Sequence, residues 1–336
     1  MLKSIILGSL SIFILFNHLF GFADARTAQL KAKHPAPGRM IDIGGYRLHI
    51  YCLGEGDPTV IMEAGLGNPG IVWSLVQSDI AKDTRVCVYD RAGLGWSDVS
   101  PRQRTANVIV GELHTLLEHA TIEGPYVLVG HSFGGLLMRI YAHTYPEEVM
   151  GLVLVDSYRF TQMEKYPQVT GKGKALIPLS LQLLNLWIAS GIPAMNPSLL
   201  PALDLAKLPA DRLETYQDLL AADPKAAKEA QAELASLETS SQQEKEANIQ
   251  SLGDIPLIVL SHGYLESRPL DPLGEEEHKE YEVFWRTDQA VLASLSPQGR
   301  LVIATESGHY IHLDEPELVI EAVEEVLLDL KSSYVN

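Results

Sequence analysis

Residues 126 to 142 read YVLVGHSFGGLLMRIYA, and few folds can accommodate them. An apolar, strand-like run from Tyr126 to Val129 passes into Gly130-His131-Ser132-Phe133-Gly134-Gly135 and then directly into a helix-like run. No residues remain for an ordinary loop. Strand, Gly-x-Ser-x-Gly and helix in immediate succession force a tight turn. Its flanking glycines are required because a β-carbon there would strike the neighbouring strand or helix. Ser132 is left at the tip, its hydroxyl above the end of a sheet and beside the first turn of the next helix. That turn supplies free N–H groups and the positive end of a helix dipole. The turn is a strained place for a serine unless the serine is a nucleophile.

The remainder of the chain provides such a sheet. Residues 39–54, RMIDIGGYRLHIYCLG, place Gly44-Gly45 between two short alternating runs, which predicts a hairpin. TVIME (59–63), RVCVYD (85–90), YVLVG (126–130), GLVLVD (151–156), PLIVLS (256–261) and RLVIAT (300–305) follow. They are short and apolar on both faces, as strands of a helix-covered parallel sheet are. Helices are expected at 70–82, 104–120, 133–145, 280–296 and 315–331, giving an α/β sheet with helices on both faces. Between about 158 and 250 the alternation stops. That segment, with DPKAAKEAQAELASLETSSQQEKEA at 223–247, is built of good helix formers. The expected organisation is a core of 39–157 and 251–331 with a helical cap at 158–250 over the carboxyl edge of the sheet.

A serine nucleophile needs a base. His309, in ESGHYIHLDEP (306–316), follows the last strand and lies after Ser132 in the chain. His312 reads as structural. His131, adjacent to the serine, lines the site without serving as its base. The imidazole in turn needs a carboxylate. Asp156 ends the strand GLVLVD at the carboxyl edge. Glu266, in LSHGYLE, is the alternative acid after the next strand. Asp90 and Arg91 read as partners in hydrogen bonds within their own loop. The oxyanion donors are expected to be the backbone N–H groups of Phe133 and of Leu66, the latter in Ala64-Gly65-Leu66-Gly67-Asn68. The stretch Leu183, Leu184, Leu186 and Trp187 either prepares a hydrophobic acyl or alcohol site or packs the cap onto the core.

Composition narrows the partners. The net charge of −17 repels phosphate backbones, so nucleic acid is not an expected partner. No metal-ligand spacing, Walker loop or dinucleotide fingerprint is present, and no cofactor or metal is expected. At the N-terminus Lys3 precedes SIILGSLSIFILF (4–16), and Ala23-x-Ala25 precedes Arg26. Residues 1–25 therefore read as a secretory signal, with an uncleaved membrane anchor as the alternative, followed by a polar lead-in at 26–38. Either way the globular part is expected outside the cytoplasm. Cleavage would remove one lysine and one aspartate, leaving the net charge at −17. Cys52 and Cys87 lie in apolar, strand-like runs, where a cysteine is usually a buried thiol, although export permits a bond.

EAGLG (63–67), YDRAGLGWS (89–97), GHSFGG (130–135), LVLVDS (152–157) and SGHYIHLDEP (307–316), in that order, resemble the α/β-hydrolase-fold superfamily over about residues 39 to 331. The resemblance implies a mostly parallel eight-stranded sheet and a cofactor-independent serine hydrolase acting on an ester or related acyl bond. It also implies that the second and fourth strands are neighbours, which leaves a Cys52–Cys87 disulfide open. Two departures stand out. Ala64-Gly65 occupies the place where many members carry His-Gly. Gly263-Tyr264-Leu265-Glu266 stands where many carry Gly-x-x-Asp, whereas Asp156 matches relatives whose acid follows the sixth strand. Ser132 argues against epoxide hydrolase and haloalkane dehalogenase chemistry, which uses an aspartate nucleophile. An amidase, peptidase or acyltransferase would use the same triad. A non-catalytic binding protein on this fold is the alternative from another class.

Overall fold

A computed structural model describes residues 28–30, 32–166, 187, 203–222, 225–264 and 274–333. The expected signal or anchor, Glu266, and Leu183, Leu184 and Leu186 lie outside the described residues. Eight strands form one sheet: β1 (Arg39–Asp42), β2 (Arg47–Leu53), β3 (Thr59–Glu63), β4 (Val86–Tyr89), β5 (Tyr126–His131), β6 (Val149–Val155), β7 (Leu257–His262) and β8 (Gly299–Ala304). Their spatial order is β1-β2-β4-β3-β5-β6-β7-β8. β2 runs antiparallel to β1 and β4, and every other pairing is parallel.

Alternation along each central strand divides its residues between two apolar faces. Ile61, Leu128, Leu152 and Val259 join one core cluster with Leu113, Leu116 and Leu137. Val60, Met62, Val127, Val129 and Val153 join the other with Trp73, Val323 and Val326. The first face is covered by α2 (Ala106–His119) and α3 (Phe133–Thr144), the second by α1 (Gln77–Ile80) and the C-terminal helices α9 (Ile311–Asp314) and α10 (Pro316–Ser333). Burial on both faces is why these strands read as continuous apolar runs.

Two helix expectations are revised. The segment 70–82 is not one helix but a 3₁₀ turn at Gly70–Trp73 followed by α1. Ser74 Oγ bonds back to the Ile71 carbonyl, which competes with continuing helix, and the Gln77 amide leaves the segment to bond Tyr51 O at 3.0 Å. Helix α8 (Glu275–Ala293) begins earlier than expected. Its acidic first turn, Glu275 to Glu277, suits the helix dipole, and the Glu277 carboxylate accepts from Gly274 N–H at 3.0 Å.

The cysteine expectation is corrected. Cys52 and Cys87 are not thiols but a disulfide. The antiparallel register of β2 and β4 sets the two residues directly opposite one another. Among the described residues between β6 and β7 the ordered elements are helical: α4 (Phe160–Lys165), a 3₁₀ turn at Leu203–Lys207, α5 (Ala210–Ala222), α6 (Lys225–Ala235) and α7 (Leu237–Ala247).

Candidate active site

Strand β5 ends at His131 and α3 begins at Phe133, so Ser132 alone makes the turn. Its backbone sits at φ 53° and ψ −119°, a region that L-residues rarely occupy. The strained conformation is held on three sides. Ser132 N–H donates to Val155 O at 3.0 Å, and Ser132 O accepts from Gly135 N–H at 2.9 Å and from Tyr158 N–H at 3.0 Å. The glycines are needed as the sequence implies. A β-carbon on Gly130 would stand 2.6 Å from Gly134 O, and one on Gly134 would stand 2.5 Å from Glu63 O.

Ser132, His309 and Asp156 come together from the carboxyl ends of three elements. With the proton on Nδ1, His309 donates to Asp156 Oδ2 at 2.6 Å, and its Nε2 accepts from Ser132 Oγ at 2.9 Å. His309 is partly exposed and Asp156 fully buried. Asp156 also has a positive φ of 46°. Burial works against its charge, but His262 and His309 outweigh that and hold the carboxyl well below the usual carboxylate range. Asp90 reaches beyond its own loop: besides Trp96 N–H at 3.0 Å it accepts from Gly70 N–H at 2.7 Å, after β3, and from His49 Nδ1 at 2.9 Å, on β2.

Sequence reasoning overlooked two groups on the same carboxylate. His262 Nδ1 donates to Asp156 Oδ2 at 2.8 Å, and its backbone N–H reaches Oδ1 at 3.1 Å. Trp285 Nε1 donates to Oδ1 at 2.8 Å. The available signal was the His of LSHG at the end of β7, next to β6 in the sheet. His131 is buried and its Nε2 donates to the His309 carbonyl at 2.9 Å. Burial and the neighbouring His312 and His309 push its pKa well down, so it stands as a neutral ring behind His309. His312 is fully buried against Trp73, and burial followed by His309 pushes its pKa down to about 3.

Phe133 N–H lies in the first turn of α3, where N–H groups have no intrahelical acceptor. Leu66 lies in the loop after β3, and that loop abuts the serine turn: Glu63 O and Ala64 O crowd Gly134, and His131 crowds Gly65. Arg91 is not confined to its own loop. It donates to Glu63, to the Ala64 and Gly65 carbonyls and to Glu233 on α6. Trp187 is exposed, at 38%.

Comparison with known proteins agrees with this fold. Residues 58–183 match the family model described as alpha/beta hydrolase fold. An "AB hydrolase superfamily protein" of Gibberella zeae is 27% identical over 294 residues, covering 80% of this chain and 86% of its own. Another curated relative is matched over much less of its length: the chain spans 18% of the "Probable transporter efuK" of Hormonema carpetanum, at 36% identity over 35% of this chain. Among solved structures, a thermophilic esterase from Thermogutta terrifontis superposes with TM-score 0.56 at 20% identity, covering 84% of this chain and 94% of that one. The epoxide hydrolase CorEH superposes with TM-score 0.61 at 18% identity, over 87% and 98%. With the strand order, the serine turn and the matched segment all in agreement, this chain has the α/β-hydrolase fold.

Proposed function

We propose that this chain is a serine hydrolase that cleaves a carboxylic ester or related acyl bond through an acyl-enzyme. The observation that carries the reading is the relay Ser132–His309–Asp156, with hydrogen bonds of 2.9 Å and 2.6 Å. In it, Ser132 Oγ attacks the acyl carbonyl while its proton passes to His309 Nε2. Asp156 keeps the second imidazole proton on Nδ1 and stabilises the cation. The negative oxygen of the tetrahedral intermediate is held by the Phe133 and Leu66 N–H groups. His309 returns the proton to the departing alkoxide. Water, deprotonated by His309, then attacks the acyl carbon, and Ser132 leaves with its proton restored.

The helices of 158–250 serve as the cap, and a hydrophobic acyl or alcohol group is the proposed substrate portion. Export is proposed as well, with residues 1–25 as signal or membrane anchor. The Cys52–Cys87 bond supports that reading, because disulfides persist in oxidising compartments.

Hydrolysis of p-nitrophenyl esters from acetate to palmitate, by the full chain and by Ser132→Ala, tests the function. Turnover by the wild type and none by the variant is expected, and the chain-length optimum sizes the acyl site. Full activity in Ser132→Ala would sink the mechanism. Failure of the folded wild type on every ester would move the reading to an amide substrate or to binding alone.

A further inference from the structure

The loop that carries Leu66 is gripped from outside the core. Glu233, on α6 of the helical insertion, is fully buried. Its Oε2 accepts from Gly67 N–H at 2.7 Å, immediately after Leu66. Its Oε1 accepts from Arg91 Nε–H at 2.6 Å. The same guanidinium donates to the two carbonyls that precede Leu66, through Nη1 to Ala64 O at 2.8 Å and through Nη2 to Gly65 O at 2.7 Å. Nη1 also reaches Glu63 Oε1 at 2.6 Å, and the guanidinium carbon lies 5.9 Å from the centre of the Phe133 ring. The backbone on each side of Leu66 is therefore pinned by one ion pair, and that pair also touches the residue carrying the other oxyanion donor.

Helix α6 packs closely along this seam. Gly67 has a φ of +72°, and a β-carbon on it would stand 2.9 Å from Ala230 Cβ. One on Gly93 would overlap Glu229. Both sites tie α6 to the loops that follow β3 and β4. Burial works against the Arg91 charge, and Glu233 and then Glu63 outweigh it, so the guanidinium stays charged.

We propose that Glu233 and Arg91 are positioning residues that set the oxyanion donors, so that the oxyanion hole is complete only while α6 is seated on the core. The inference rests on the serine-hydrolase reading. It assigns the insertion a part in transition-state stabilisation beyond covering the site. Donors aimed in advance at a developing negative charge supply much of the rate of such enzymes, and small misplacements are costly.

The test uses the full chain with Glu233→Ala, the near-isosteric Glu233→Gln, and a fluorophosphonate probe, whose phosphoryl oxygen occupies the oxyanion site when Ser132 is modified. Below the unfolding temperature of each variant, Glu233→Ala is expected to slow phosphonylation by roughly tenfold to a hundredfold. For an ester, kcat should fall by a similar factor while KM stays close to wild type, and the amides of 64–68 should exchange hydrogen faster. Glu233→Gln keeps an acceptor for Gly67 but loses the charge facing Arg91, so it should fall between. Labelling at the wild-type rate, or a kcat loss no larger than the unfolded fraction, would reduce the pair to a fastener and overturn the proposal. An unreactive Ser132 in the wild type would overturn the serine-hydrolase reading itself and the proposal with it. The wild-type arm therefore separates the two failures, and Glu233→Gln keeps the test decisive should Glu233→Ala fail to fold.

Discussion

Asp156 is a buried carboxylate that accepts from two imidazoles, an indole and a backbone N–H. That saturation lets a fully buried charge persist, since an unpaired one would be far more costly. If Asp156 is the acid of the triad, Asp156→Asn should lower kcat roughly 10⁴-fold, the loss typical when the imidazole is held in the wrong tautomer. Glu266→Gln should leave kcat near wild type. The reverse pattern in ester kinetics would hand the role to Glu266. His262 makes a separate prediction in stability. Burial opposes its cation, but Asp156 outweighs that and raises its pKa. A raised folded pKa stabilises fully below the unfolded value of about 6.5, and the contribution is lost as pH rises through the folded value. The lowered pKa of Asp156 stabilises above its unfolded value of about 3.9 and fails as pH falls through the folded one. The two together contribute in full between roughly pH 4 and 6.5. Replacing His262 by Asn should therefore lower Tm more at pH 5.5 than at pH 9 in calorimetric scans. A Tm difference independent of pH would mean that His262 contributes no charge to the pair.

Among elements, the central strands were legible because burial on both faces leaves a run with no polar side. The serine turn was legible because only glycine fits beside it, as the approach of Gly134 to Glu63 O shows. The acid was narrowed only to two candidates, because Asp156 and Glu266 follow successive strands and only a distance to His309 distinguishes them. The start of α8 was hidden for a different reason: no apolar spacing marks its first turn, and Glu275 to Glu277 favour helix only through their place at its N-terminus, facing the dipole. Cys52 and Cys87 lie in unremarkable apolar runs, and their pairing follows from the register of β2 against β4, which composition does not record. This bond joins residues separated by 35 positions, so by the loop-entropy account it stabilises by about 4 kcal/mol. Replacing both cysteines by alanine should lower the unfolding free energy in urea by that order, with little effect on ester kcat because neither cysteine touches the triad. An unchanged denaturation midpoint would show that the β2–β4 ladder needs no crosslink.

Across the whole molecule, residues far apart in sequence converge on one edge of the sheet. Arg91 and Glu233 meet across 142 positions, and no local pattern in the chain announces such a contact. Net charge, by contrast, is read from the sequence alone: 43 acidic against 26 basic residues give −17. The site's own charges are paired, with Asp156 against imidazoles and Arg91 between two carboxylates, so the excess is carried by the rest of the molecule. The long-range potential at the site is therefore expected to be negative, and to act on substrates during approach rather than on the chemical step. Exposed charges are screened over about 10 Å at 0.1 M salt, so ionic strength switches this effect without touching the triad. Three esters with the same leaving group and with anionic, neutral and cationic acyl portions make the comparison. Raising sodium chloride from about 10 to 300 mM should increase kcat/KM several-fold for the anion, decrease it for the cation and leave the neutral ester nearly unchanged. The change should lie in kcat/KM, with kcat flat, because screening alters encounter and not the acyl-enzyme. An equal response from all three esters would show that the excess acidity lies too far from the mouth of the site to steer anything, and that it serves solubility alone.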